Sequence, residues 1–203
     1  MSTDARYWRD KYDRPDFVYG RHPNQFLAEH ASEVIPHRGH VLSLGEGEGR
    51  NAVWLARHGW RVSAVDHAAD ALAKLRRHAA GAGVHVETFC EDVVDFDCGT
   101  ARWDAIVILH MHLSPRPRRR THRRAAAALR PGGFILLEAL RPEQLAQPSS
   151  GPESSELLYT QTELCADFAA LQIKLLREDD RYIDAGEHRG MTSVISLIGR
   201  KPA

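Results

Sequence analysis

Within this 203-residue chain the stretch HVLSLGEGEGRNAVWLARHGWRVSAVD, residues 40–66, constrains the fold most. An apolar run from His40 to Leu44 enters a loop with Gly45, Gly47 and Gly49 at alternate positions. A helical pattern follows, and a second apolar run closes on Asp66. Strand, glycine loop, helix and strand in that order form the repeating unit of a parallel sheet. Ligands of such sheets bind beyond the carboxyl ends of the strands, where bare backbone can be approached closely.

The alternation continues along the chain. Strands are predicted near 40–45, 61–66, 84–90, 103–110 and 133–140, and helices near 49–58, 68–80, 116–129 and 161–170. This order implies an α/β fold whose mostly parallel sheet is covered on both faces. The extended segments QIKLLREDDRYID and RGMTSVISLIGRK, separated by AGEH, suit an antiparallel hairpin at one sheet edge and bring the count to seven strands. RPGGF, residues 130–134, reads as the turn that launches the fifth strand. Ahead of the core, Ala5 to Tyr12 form a short amphipathic helix with Trp8 and Tyr12 on one face. Pro23 is placed at the first turn of a second helix through Glu33, with FVYGRHPN as a loop between them. The expected organisation is one domain, 1–203, with a helical lid over 1–38 and a doubly wound core over 39–203.

Charge limits the partners. Lys plus Arg (27) equals Asp plus Glu (27), which argues against a generally basic surface for nucleic acid. The one strong run, RPRRRTHRR at 116–124, reads as the solvated face of a helix, with a handle for RNA or an acidic protein as the alternative. Cys90, Cys98 and Cys165 are odd in number and lack paired spacing, so free thiols in a reducing cytoplasm are expected. No apolar run reaches the roughly 18 residues of a membrane span. His110 and His112 in HMH share a strand face, yet no third ligand lies near them in sequence, so no metal is expected.

The glycine loop points to a nucleoside. Asp66 stands seventeen residues after Gly49 (66 minus 49), where a carboxylate can accept from ribose hydroxyls. Dinucleotide sites put their third glycine one position later, which here is Arg50. Glu46 and Glu48 set carboxylates beside the glycines, where a diphosphate would meet like charge. S-adenosylmethionine carries a sulfonium and an ammonium and no phosphate, so an acidic loop suits it better than NAD. After the third strand, Glu91 and Asp92 are placed to accept from the adenine amino group and Val93 to cover the ring. Leu109 and His110 end the fourth strand at the mouth of the pocket. Asn51 and His67 complete the expected cofactor set.

The segments YWRDKY, VYGRHPNQFL, VLSLGEGEGRN, AVD, EDV, WDAIVILHMHL, LRPGGFILLEA, ELLYT and GEHRG together carry a resemblance to class I S-adenosylmethionine-dependent methyltransferases. Within that class the chain resembles the bacterial tellurite-resistance and thiopurine methyltransferase-like group over almost its whole length. The resemblance implies a Rossmann-like fold and in-line methyl transfer to a small soft nucleophile, such as a thiol or chalcogen oxyanion, with S-adenosylhomocysteine as product. It also implies that Tyr19 and Arg21 cover the cofactor, with Trp8 and Tyr12 supporting the lid. His188 and Arg189 would face the acceptor, His188 taking a proton and Arg189 holding an anionic group. Ser43 departs from the pattern, because many of these enzymes carry there an acid that supports the glycine loop. Two alternatives remain open: a protein that binds S-adenosylmethionine without catalysis, and a methyltransferase of RNA or protein that uses the arginine run.

Overall fold

A computed structural model describes residues 5–149 and 151–203. Two helices, α1 (Ala5–Tyr12) and α2 (Gln25–Val34), precede an alternating series. The series runs β1 (His40–Leu44), α3 (Arg50–Arg57), β2 (Arg61–Asp66), α4 (Ala69–Gly81), β3 (Glu87–Cys90), β4 (Trp103–Leu109), α5 (Pro115–Ala128) and β5 (Leu129–Leu140). After two short 3₁₀ turns and α6 (Gln161–Asp167), the chain ends in the hairpin β6 (Gln172–Ala185) and β7 (His188–Arg200).

One seven-stranded sheet has the order β3-β2-β1-β4-β5-β7-β6. The first five strands are parallel, and β7 inserts antiparallel between β5 and β6. Connections run outward from β1 in one direction and restart from β4 in the other, which puts the topological switch point at the carboxyl ends of β1 and β4. The central strands are apolar on both faces because both are covered. Val41, Ala105 and Val107 pack with α2, α3 and α4, whereas Leu42, Leu44, Ile106 and Ile108 pack with α5 and α6.

Three local expectations shift. Pro23 precedes the second helix rather than opening it: Asn24 is the N-cap, its side chain accepting from Leu27 N at 3.0 Å. The segment RPGGF belongs to the start of β5, which pairs irregularly with β4 between Trp103 and Ala105. Arg118 of the arginine run is buried and Arg124 half-buried. Arg118 is paired with Asp167 at 2.9 Å and Glu163 at 2.8 Å, and Arg124 donates to the carbonyls of Val94 and Phe96. Among the described residues, no helix is long and apolar enough to cross a membrane, and no group of three or more His, Cys, Asp or Glu could hold a metal ion.

Candidate active site

A cavity of 390 Å³ opens at the switch point. Its floor is the glycine loop, and each glycine there has a different neighbour. A Cβ on Gly45 would press on the Met111 side chain, and one on Gly47 would stand 2.8 Å from the Tyr12 hydroxyl. On Gly49, whose φ is +92°, a Cβ would drive into Leu75 of α4. Gly49 therefore sets the packing of α3 on α4 and stands outside the cavity wall.

The two loop glutamates turn opposite ways. Glu46 lines the cavity, accepts the Ser43 hydroxyl, and takes the backbone N–H groups of Asn51 (3.1 Å) and Ala52 (2.9 Å) at the start of α3. The acid that Ser43 lacks is thus supplied by Glu46, with Ser43 as its donor. Burial raises the Glu46 pKa to about 7 despite these three bonds. Glu48 points behind the loop. It is buried, accepts from Val18 N at 2.8 Å and pairs with Lys74 at 2.8 Å, while Lys74 also reaches the Asp16 carbonyl. The like charge expected from Glu48 is therefore neutralised away from the cavity, and its work is to fasten the N-terminal segment.

Asp66 ends β2 in the wall, with Oδ2 accepting from Gly47 N (2.8 Å) and Oδ1 from Ala68 N (2.9 Å). Desolvation raises its pKa, with those two hydrogen bonds opposing the shift. His67, Asp92 and Val93 stand beside it; Glu91 is exposed and outside the wall. Leu109 and His110 come off β4, and His110 adopts φ +53°, an uncommon conformation for a non-glycine residue. Its Nε2 lies 3.4 Å from Glu138 Oε1.

Glu138, fully buried at the end of β5, also accepts from Asn24 Nδ2 (2.7 Å), Ser196 Oγ (3.0 Å) and, through both oxygens, Arg181 Nη2 (2.6 and 2.7 Å). These partners, His110 foremost, outweigh desolvation and pull its pKa to about 2.

A roof closes over this floor. Trp8, Tyr12 and Tyr19 line it from the N-terminal side, with Trp8 and Tyr12 stacked at 5.5 Å; Ile183, Ala185 and His188 line it from the hairpin. The two sides meet at Glu187, which pairs with Lys11 at 2.7 Å and with Arg14, and whose N–H donates to the Val18 carbonyl at 2.8 Å. His188 is buried, with Nε2 3.1 Å from Thr192 Oγ1. The structure does not bring Arg21 or Arg189 to the cavity. Arg21 lies over the Phe17 ring at 4.4 Å, and Arg189 is exposed beside Tyr182 and Asp184.

Arg50 and His112 are wall residues that sequence reasoning did not assign. Arg50 is half-buried at the first position of α3 and makes no hydrogen bond or ion pair among the described residues. His112 donates from Nδ1 to the Leu157 carbonyl at 2.8 Å, since a carbonyl can only accept. Burial lowers its pKa to about 3, so the ring is neutral. Two buried wall nitrogens, His67 Nε2 and His112 Nε2, have no partner, as befits a wall completed by polar ligands.

Residues 41–133 match the family model described as Methyltransferase domain. A curated relative, ribosomal RNA small subunit methyltransferase C of Alcanivorax borkumensis, is 34% identical over 108 residues, covering 51% of this chain and 33% of the relative. The chain thus spans about a third of that relative's length. TehB from Haemophilus influenzae superposes with a TM-score of 0.72 at 20% identity, over 96% of this chain and 66% of TehB. The N-methyltransferase NodS from Bradyrhizobium japonicum, solved with S-adenosylhomocysteine, gives 0.71 at 16% identity over 98% of both chains. A structure from work on conversion of a disulfide bond into a thioacetal group during echinomycin biosynthesis gives 0.77 at 20% identity, over 98% of this chain and 90% of that one. At these identities the superpositions speak for the fold, and the family match covers a little under half of the chain. Over residues 41–133, this chain is similar to the family described as Methyltransferase domain.

Proposed function

We propose that the chain transfers a methyl group from S-adenosylmethionine to a small soft nucleophile held under the roof. The observation that carries this reading is the partly roofed cavity of 390 Å³, bounded by Asp66 and Glu46 on one side and by a histidine cluster on the other. Asp66 suits a ribose, Asp92 and Val93 an adenine, Glu46 an ammonium and Arg50 a carboxylate. The unpartnered His67 Nε2 fits a polar group on the same side. When bound, S-adenosylmethionine supplies an already activated methyl carbon. The protein's own work is to align the acceptor and exclude water. Tyr12 and Tyr19 shut the roof, and burial raises the pKa of both, which keeps them neutral. Acceptor contacts fall to His110, His112 and His188; the ring centroids of His110 and His188 are 5.7 Å apart.

The ribosomal RNA relative motivates a second reading in which RNA is the acceptor. The clasp at Glu187 weighs against it, because it ties the segment bearing Trp8, Tyr12 and Tyr19 to the hairpin over the cavity. A screen of simple thiols, chalcogen oxyanions and a short RNA, read by S-adenosylhomocysteine release, tests the proposal. Release with RNA alone would overturn it.

Glu46 adds a pH signature. Its folded pKa, about 7, exceeds the unfolded 4.5, so its contribution to stability is complete below 4.5 and is lost as pH rises through about 7. Above that value a carboxylate faces the ligand's ammonium, so S-adenosylhomocysteine should bind several-fold more tightly at about pH 8 than at about pH 6. Glu46→Gln should flatten the profile in calorimetry. A wild-type affinity equal at both values would remove Glu46 from the ammonium site.

A further inference from the structure

On the far side of the roof segment lies a cleft of 740 Å³ that the methyl-transfer reading does not use. Phe17, Arg21, Arg57, Lys74, Arg77 and His78 form its charged and aromatic wall, and no carboxylate lines it. Lys74 is already committed to Glu48 and the Asp16 carbonyl. The three guanidiniums are different. Arg21, Arg57 and Arg77 make neither a hydrogen bond nor an ion pair among the described residues, although acids and bases are equal in number in the chain.

Phe17 orients two members of the group. Arg21 lies over its ring at 4.4 Å, and His78 meets it edge-on at 5.4 Å. His78 Nδ1 is buried without a partner. Burial lowers the His78 pKa, and Arg21 and Arg57 lower it further. Like charges converging on one concavity with no counter-charge repel one another, and an anion there relieves the repulsion.

We propose that this cleft is a binding site for a small phosphate-bearing ligand, with Arg21, Arg57 and Arg77 presenting planar forks to its oxygens. Guanidinium pairs with phosphate bidentately and is less strongly hydrated than an ammonium, which makes arginine the fitting residue here. A nucleic-acid backbone fits less well. The exposed arginines of α5 pack on the opposite face of the sheet from α3 and α4, so the two basic regions do not join into one track.

Titration of the whole chain with sodium pyrophosphate at low ionic strength tests the site. Saturable binding is expected in calorimetry, weakening as salt is added. Arg57→Gln/Arg77→Gln should weaken it about tenfold or more, since two charge-assisted forks are lost. Arg120→Gln/Arg123→Gln on α5 should leave it unchanged. S-adenosylhomocysteine affinity, measured on the same variants, reports the integrity of the fold and of the separate cofactor cavity. Absence of pyrophosphate binding, equal weakening by the two double variants, or binding of a short oligoribonucleotide without binding of pyrophosphate would each overturn the proposal.

Discussion

Replacing Glu138 with alanine is expected to destabilise the fold by about 3–5 kcal/mol, the loss that follows when one member of a buried ion pair is removed and the other is stranded. Glu138 is fully buried, and its carboxylate is the shared acceptor for Arg181 on β6, Ser196 on β7, Asn24 at the start of α2 and the ring of His110 after β4. Truncation leaves a guanidinium, an amide and a hydroxyl facing a void. Urea unfolding checks this. A loss below about 1 kcal/mol, the scale of a single neutral hydrogen bond, would mean that water replaces the carboxylate without penalty. Glu138→Gln keeps an acceptor and removes the charge, so its cost should fall between wild type and alanine.

The second large effect is expected at Gly186, in the turn between β6 and β7. Its φ is +59°, and an added Cβ would run into the Val18 carbonyl and stand 3.0 Å from Gly20 N. Both neighbours are backbone and cannot swing aside. Gly186→Ala should therefore unseat the hairpin tip from the N-terminal segment and break the bond from Glu187 N to Val18 O. Turnover should fall about 100-fold, the scale expected when a site is displaced by roughly an ångström. The urea midpoint should move much less, because the sheet lies beneath the roof. Wild-type turnover and wild-type S-adenosylhomocysteine affinity in this variant would show that the roof is not needed for function.

The parallel core was legible because its strands are short apolar runs punctuated by glycine, and β1, β2 and β4 fall within a residue of where the pattern puts them. The N-terminus of α2 could have been read better: asparagine is a strong N-cap, and Asn24 outranks Pro23 as the start signal. Arg189 follows the same lesson. Neighbouring residues on a strand face opposite ways, so with His188 turned into the cavity Arg189 must turn out. Glu48 is a different case. Its destination is set by Lys74, 26 positions on, and by the backbone of Val18, and nothing local announces either contact. In the sequence Arg50 marks only the position where a dinucleotide site would want glycine, and its place in the wall follows from the direction in which α3 leaves the loop.

The clasp at Glu187 has a kinetic meaning. Lys11 and Arg14 meet it across 176 and 173 residues of chain, a separation far larger than any between adjacent strands of the parallel sheet. Contacts of such span carry the larger loop-closure cost, so the roof is expected to form after the nearer pairings, an order that pulsed hydrogen exchange during refolding would check. Because the Lys11 and Arg14 ion pairs to Glu187 are partly exposed, the roof is also expected to be among the first parts of the native protein to open. If the cavity is the cofactor site proposed above, ligand exchange is expected to be paced by opening of this clasp, with the sheet that holds the glycine loop still folded.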